Sequence, residues 1–116
     1  SRAGRVPEVR WIHEAPGLQV VATRVLVVYD IGDNGRREEF ARRLQQLGLV
    51  RVQRSCFLGR GGLELVKVVS RLAERLIDGS SDVVHVVPLD EYSFRNMRCV
   101  GRPYGHGGPG VVEYAT

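Results

Sequence analysis

The 116-residue sequence predicts an α+β fold whose elements follow the order βαββαβ. Short runs of β-branched residues alternate with longer stretches in which apolar residues recur every three or four positions, a pattern typical of strands and amphipathic helices. Turns rich in glycine or aspartate separate these segments. The order is that of the split βαβ, or ferredoxin-like, arrangement, in which two helices pack on one face of an antiparallel sheet.

The folded unit is expected at residues 24–102, because glycine and proline concentrate outside it. Residues 1–23 and 103–116 together hold 6 glycines and 4 prolines, whereas the longer central segment holds 8 glycines and one proline. We therefore expect a single domain between two flexible flanks, an N-terminal extension (1–23) and a Gly-rich tail (103–116).

The first strand and helix have clear signals. Residues 24–30 (RVLVVYD) form a nearly continuous β-branched run, which predicts a central strand buried on both faces. Asp33 is a suitable N-cap for the helix that follows, and Gly48 is a suitable residue to end it. The apolar residues at positions i, i+4 and i+7 of this helix are expected to face the core. They are Phe40, Leu44 and Leu47.

The middle of the domain allows two interpretations. Residues 49–58 (LVRVQRSCFL) are extended, and bending them into two strands completes the order above. No Asn-Gly or Asp-Gly turn divides this segment, so one long bent strand is the alternative.

The second half repeats the pattern of helix and strand. A helix is expected over residues 63–77, a core strand over 82–89 (DVVHVVPL), and a short extended piece over 97–101. The apolar residues of this helix that are expected to face the core are Leu65, Val69, Leu72 and Leu76.

The composition excludes several classes of protein. The hydrophobic fraction is 43%, enough for a core, and two cysteines are too few for a disulfide-stapled scaffold. No apolar run approaches the roughly 20 residues of a membrane helix, and no signal peptide is recognisable. A soluble, cytoplasmic protein is the expectation.

Positive charge concentrates in one part of the chain. The net charge is +4, and 16 of the 17 basic residues are arginine, the bidentate phosphate binder. Residues 36–60 alone carry +5. A nucleic-acid surface and a solvated helix face both remain open for these arginines: Arg36, Arg37, Arg42, Arg43, Arg51, Arg54 and Arg60.

Asp30 is the main candidate for chemistry, because it ends the hydrophobic strand. It either presents a carboxylate to a ligand or caps the turn by accepting from the amides of Gly32 or Asp33. One carboxylate is a poor magnesium site, but a symmetric dimer would double it.

Other candidate residues carry weaker signals. Phe57 could stack on a base, although a strand phenylalanine is more often part of a core. The glycine-rich loop at residues 59–62 precedes a helix and could contact phosphate, but it lacks a complete phosphate-loop pattern. Cys56 and Cys99 show no metal-binding spacing, and His85 lies among strand valines.

Four motifs, in order along the chain, resemble the CRISPR-associated Cas2 family. They are VVYDI at residues 27–31, the pair Arg36-Arg37, RVQRSCFLG at residues 51–59 after Leu47-Gly48-Leu49, and VVPL at residues 86–89. The combination and its spacing are specific, whereas each motif alone is weak. The first 23 residues and the Gly-rich tail depart from the family pattern.

The resemblance implies a ferredoxin-like homodimer with an extra C-terminal strand, residues 97–101, laid against the partner's sheet. It implies that Asp30 and Tyr29 are catalytic and that Asp30 from both subunits binds Mg²⁺ or Mn²⁺. The resemblance also implies that six residues bind nucleic acid: Arg36, Arg37, Arg51, Arg54, Ser55 and Phe57. Arg60 is added to this set because it belongs to the charge cluster.

The resemblance also implies a function in CRISPR adaptation. Such a dimer bridges two copies of the Cas1 integrase dimer and holds duplex DNA. Family members are also described as metal-dependent nucleases on single-stranded RNA or double-stranded DNA. The sequence offers no second acid beside Asp30 and no placed histidine base, so we expect mainly an adaptor with weak endonuclease activity. The alternative is a regulatory, ligand-binding ferredoxin-like domain that takes no nucleic acid.

Overall fold

The computed structural model describes residues 21–102 and Tyr104. The flanks expected to be flexible, 1–23 and 103–116, therefore lie outside the described residues except for residues 21–23 and Tyr104. Four strands and three helices follow in order: β1 (Ala22–Asp30), α1 (Asn34–Gln46), β2 (Val50–Gln53), β3 (Cys56–Arg60), α2 (Leu63–Leu76), β4 (Val83–Asp90) and α3 (Glu91–Arg95).

The four strands form one antiparallel sheet in the order β2-β3-β1-β4. Val27 of β1 lies opposite Phe57 of β3 on one side and Val86 of β4 on the other. This order, with two helical crossovers, confirms the ferredoxin-like fold. None of the helices among the described residues is both long and apolar enough to cross a membrane.

The middle segment is bent into two strands, so the alternative of one long strand is wrong. β2 and β3 pair across a turn at Arg54 and Ser55, with an irregular register between Arg51 and Gln53. The amide of Tyr29 donates to the carbonyl of Ser55 at 3.0 Å. This contact fixes the turn beside the carboxyl end of β1.

The main core lies between the sheet and helices α1 and α2. Alternate residues of β1 point into it, as the period of a strand requires: Val25, Val27 and Tyr29. They meet buried residues of the helices, namely Phe40, Ala41 and Leu44 from α1 and Val66, Val69, Leu72 and Ala73 from α2. Leu65 and Leu76, expected to face inward, pack at the margin of this core.

The opposite face of the sheet is covered only in part. A smaller cluster around Val52, Cys56 and Leu58 packs against Phe94 and Met97. Val28 in the central strand is 39% exposed, so the expectation that β1 is buried on both faces is wrong. The helices cover one face, and only a short segment after β4 reaches the other.

Local signals explain the ends of α1. The Asp33 carboxylate accepts from the Arg36 amide at 2.8 Å and caps the helix, as predicted. Gly48 follows the helix with a φ of +93°, a left-handed conformation that favours glycine. Leu47 was expected to face the core, but it is the C-cap residue and is 42% exposed.

Helix α3 was not predicted. The Asp90 side chain caps it, and the Thr23 hydroxyl donates to Glu91 at 2.9 Å. The guanidinium of Arg24 lies 4.2 Å from the ring centre of Phe94. No strand is found at residues 97–101 in the described part of the chain, so the additional C-terminal strand stays a prediction that concerns a partner.

Candidate functional site

An open pocket of about 590 Å³ lies where β1 ends, α1 begins and the β2–β3 turn approaches. We call it the arginine pocket. Its lining residues are Asp30, Ile31, Arg37, Glu38, Arg51, Arg54, Ser55 and Tyr104. A second open pocket of about 460 Å³ shares Arg54, Ser55 and Tyr104 with it.

The Asp30 carboxylate is available for a ligand. Asp30 is exposed at the end of β1. Among the described residues, no hydrogen bond joins its side chain to the turn, and the Gly32 amide donates instead to Asp82 at 3.2 Å. Of the two interpretations of Asp30, the structure favours a presented carboxylate over a turn cap.

Asp82 holds the loop that follows Asp30. Its side chain is fully buried and accepts from the amides of Gly32 and Asp78 at 3.2 and 2.9 Å. The guanidinium Nε of Arg36 donates to it at 3.1 Å. Burial alone would raise the pKa of Asp82, but these donors lower it to about 2. The loop between β1 and α1 is thereby tied to the start of β4.

The seven arginines of the charged cluster separate into two groups. Four have other surroundings: Arg36 binds Asp82, Arg42 and Arg43 pair with Glu39, and Arg60 lies at the opposite end of β3 beside Arg24. The three that line the arginine pocket are Arg37, Arg51 and Arg54. Arg36 and Arg60, predicted to bind nucleic acid, are thus not part of this pocket.

Arg37 lies in the first turn of α1, and contacts with the preceding loop and with Asn34 hold its side chain. One guanidinium nitrogen donates to the carbonyl of Ile31 at 2.9 Å, and the other donates to the Asn34 side chain. These contacts hold the guanidinium, which lines the arginine pocket, against the backbone of Ile31, the residue that follows Asp30. A preorganised guanidinium loses less conformational entropy when it binds an anion.

Arg51 lies between a core ring and a surface ring. Its guanidinium carbon is 5.0 Å from the ring centre of Phe57 and 5.4 Å from that of Tyr104. Phe57 is fully buried, so this ring supports Arg51 and has no free face for a base. The sequence had left base stacking and core packing open for Phe57, and the structure places it in the core.

Tyr29 is also a core residue, with 4% of its surface exposed. Its ring lies edge-on to Phe40 at 5.1 Å and is stacked with Phe57 at 6.2 Å. Burial raises the pKa of the Tyr29 hydroxyl, against the opposing effect of the neighbouring Arg51 guanidinium. Tyr29 is therefore a neutral phenol in the wall of the second pocket, while Asp30 beside it is open to solvent.

The acidic residues of the pocket match part of a magnesium shell. Asp30 and Glu38 both line it. Mg²⁺ is commonly bound by one or two carboxylates, with water and substrate phosphate completing its octahedron. No group of three or more His, Cys, Asp or Glu side chains exists within the described residues that could hold a metal ion. One chain therefore fits Mg²⁺ or Mn²⁺ only as part of a shell shared with phosphate or with a second copy.

Two residues of the site were missed from the sequence. In the sequence, Glu38 contributes only a negative charge within the cluster, and Tyr104 falls in the Gly-rich tail. The Tyr104 amide donates to the Val52 carbonyl at 3.4 Å, which places it on the free edge of β2. A residue that reaches a site by such a backbone contact leaves no periodic pattern in the sequence.

Comparisons with known proteins identify the family. The family model of CRISPR associated protein Cas2 matches residues 23–97. A protein of Aeropyrum pernix named CRISPR-associated endoribonuclease Cas2 is 36% identical over 84 residues, which are 72% of this chain and 85% of that protein. A Thermoproteus tenax protein named CRISPR-associated endonuclease Cas1/endonuclease Cas2 fusion is 34% identical over 80 residues, which are 68% of this chain and 30% of that protein.

A solved structure has a similar fold. The crystal structure of the hypothetical protein TT1823 from Thermus thermophilus superposes with a TM-score of 0.59 and 26% identity, over 77% of this chain and 99% of that one. The family model extends from β1 to the segment just after α3, and so includes Asp30, Arg37, Arg51 and the β2–β3 turn. This chain therefore belongs to the CRISPR-associated Cas2 family.

Proposed function

We propose that a homodimer of this chain binds nucleic acid through the arginine pocket and acts in CRISPR adaptation, mainly as an adaptor and secondarily as a weak metal-dependent endonuclease. The observation that carries the proposal is the exposed Asp30 carboxylate within a pocket lined by three arginines. Membership of the Cas2 family favours nucleic acid over the small-ligand alternative.

Binding is proposed to depend on Arg37, Arg51 and Arg54. Their guanidinium groups match phosphate in charge and geometry, and they surround one opening instead of being spread over a helix face. Such contacts position a backbone without reading bases, so affinity for double-stranded DNA or single-stranded RNA should fall steeply with salt and depend little on sequence.

The dimer is proposed to form through the exposed sheet face. Val28, Val83 and Val87 lie on the face away from α1 and α2, and each is 37–44% exposed. A second copy would bury these side chains and, by the two-fold axis, would double both Asp30 and the arginines. Doubling supplies the ligands that a single chain lacks.

Hydrolysis is proposed to depend on Asp30, with Glu38 as the neighbouring acid. When bound, Mg²⁺ or Mn²⁺ would polarise the phosphodiester and lower the pKa of a water molecule. Asp30 would hold the ion from the rigid end of β1, and Arg37 and Arg51 would hold the flanking phosphates. Tyr29 is buried, so its proposed part is to support Asp30 and Arg51 instead of transferring a proton.

The partnership with Cas1 is proposed from a relative. The Thermoproteus tenax protein joins Cas1 and Cas2 in one chain by its name, and this chain matches 30% of it. We propose that this chain associates with a separate Cas1 integrase and helps it hold duplex DNA.

The nuclease proposal is tested by cleavage of labelled RNA and duplex DNA with Mg²⁺, Mn²⁺ or a chelator. Asp30→Asn should abolish metal-dependent cleavage, while Glu64→Gln, which removes a highly exposed carboxylate on α2, should leave it unchanged. Full cleavage by purified Asp30→Asn protein would refute catalysis by this residue without affecting the binding proposal.

The binding proposal is tested by salt titration of duplex affinity. Arg51→Gln and Arg54→Gln should each lower affinity and reduce the slope of log K against log salt by about 0.9, the value for one lost phosphate contact. Arg75→Gln removes the same charge from the exposed last turn of α2 and serves as the matched control. Equal effects of the pocket and control substitutions would refute a localised binding site.

A further inference from the structure

Tyr104 lies at the mouth of the arginine pocket, beyond the residues that the Cas2 family model matches. It lines both open pockets, and 47% of its surface is exposed. Among the residues that the structure describes, the other aromatic rings of this region are buried: Tyr29, Phe40 and Phe57 each expose less than 5% of their surface. Tyr104 is thus the described aromatic residue that can meet a ligand there.

The position of this ring is fixed from two directions. Its backbone amide donates to the Val52 carbonyl at 3.4 Å on the edge of β2. Its hydroxyl accepts from the Arg51 guanidinium at 3.4 Å, and the guanidinium carbon lies 5.4 Å from the ring centre. Since Arg51 in turn rests on Phe57, the Tyr104 ring is the outermost layer above a guanidinium and a core ring.

We propose that Tyr104 is a base-contacting residue on which an unpaired base stacks while the adjacent phosphates bind Arg37, Arg51 and Arg54. The inference rests on the proposed function, because it places the base of the same bound strand. A base has two flat faces, and an exposed aromatic ring beside a cationic groove is the arrangement by which proteins hold unpaired nucleotides.

If Tyr104 stacks on a base, the pocket should distinguish single-stranded from double-stranded nucleic acid. A base within a duplex is covered by its neighbours on both faces, so it cannot stack on Tyr104 without leaving the helix, which costs unpairing and unstacking energy. A single strand, or a frayed end of a duplex, presents bases without that cost. Phosphate contacts act on both kinds of strand, so the contribution of Tyr104 should be confined to unpaired nucleotides.

The test compares Tyr104→Leu with Tyr104→Phe in the full chain. Leucine keeps apolar bulk but removes the ring, whereas phenylalanine keeps the ring and removes only the hydroxyl. Affinity is measured by fluorescence anisotropy for a single-stranded RNA, an abasic strand of equal length and a blunt duplex. Tyr104→Leu should weaken RNA binding about 5- to 150-fold, the range for one stacked base, while Tyr104→Phe stays within about twofold of the parent.

The three probes separate the possible outcomes. Losses confined to the base-bearing single strand support stacking by Tyr104. Equal losses on the RNA, abasic strand and duplex would overturn it, since Tyr104 would then act only by positioning Arg51 for phosphate. No loss for Tyr104→Leu, in a protein whose binding still needs Arg51 and Arg54, would overturn this inference alone. Absence of binding to every probe by the parent protein would overturn the proposed function as well.

Discussion

Replacement of Asp82 by asparagine should lower the free energy of unfolding at neutral pH and change it much less in acid. The fully buried carboxylate accepts two backbone amides and the Arg36 guanidinium, and these contacts lower its pKa from 3.8 to about 2. A difference of this size between the unfolded and folded states corresponds to about 2 kcal/mol. Asparagine keeps the shape but removes the charge that stabilises these donors.

The dependence on pH follows from the sign of the shift. Since folding lowers the pKa of Asp82, its stabilisation is complete above the unfolded pKa of 3.8 and is lost as the pH falls through about 2. The difference between the parent and Asp82→Asn should therefore be about 2 kcal/mol at pH 7 and shrink steadily below pH 4. In thermal unfolding at pH 7, about 2 kcal/mol corresponds to a Tm lower by roughly 8–16 °C for a domain of this size.

The assay is urea unfolding followed by circular dichroism, from pH 7 to pH 2. One protein concentration is used throughout, because a dimer makes apparent stability depend on concentration. Asp30→Asn makes the same chemical change at an exposed carboxylate and should alter stability by less than about 0.5 kcal/mol. The reasoning is refuted by an Asp82→Asn loss at pH 7 no larger than this control, or by an equal loss at pH 7 and pH 2.

Three further changes test the packing, the helix end and the proposed interface. Leu44→Ala empties a fully buried position in α1 and should cost about 2–5 kcal/mol in chemical unfolding, whereas a loss below 1 kcal/mol would contradict its place in the core. Gly48→Ala should destabilise by about 1 kcal/mol, because alanine is strained at a φ of +93°; unchanged stability would argue against that conformation. Val87→Glu puts a charge on the exposed sheet face and should convert a dimer into monomers in sedimentation experiments without lowering helix content, and a persistent dimer would place the interface elsewhere.

Helix α1 shows what sequence reasoning predicts well. Its start, its end and two of its three inward residues follow from neighbours in the chain, because a cap and a 3.6-residue period are local properties. The prediction that Leu47 faces the core is wrong because the helix ends one residue before it. Helix α3 could not be predicted because its five residues are too few for a helical period to be recognised.

The turn at Arg54 and Ser55 needed information from outside its own segment. Its residues are not a standard hairpin pair, and its position is fixed where the Tyr29 amide meets the Ser55 carbonyl. Without that strand beside it, residues 49–58 read equally well as one strand or two. The resemblance to a family favoured two strands, and the sheet confirms this interpretation.

The charged cluster shows why counting residues does not locate a site. Seven arginines are close in sequence, yet Arg36 is paired with Asp82, 46 positions away, and Arg60 lies at the other end of its strand. The charge of the segment predicts an anionic ligand but does not identify the residues that would contact it. Asp30 was found because the end of a strand can be read from sequence, whereas Tyr104 could be placed only after its contact with β2 was known.

The link between Gly32 and Asp82 sets an order of events during synthesis. A ribosome releases the β1–α1 loop early, but the side chain that fastens it follows 50 residues later, next to the strand that completes the sheet beside β1. A nascent chain that ends after α2 would carry the loop between Asp30 and α1 without the Asp82 carboxylate that holds it. We therefore expect the side of the pocket formed by Asp30 and Arg37 to take its final geometry only after Asp82 and β4 have been made, so a chain that ends after α2 should bind nucleic acid more weakly than the full chain.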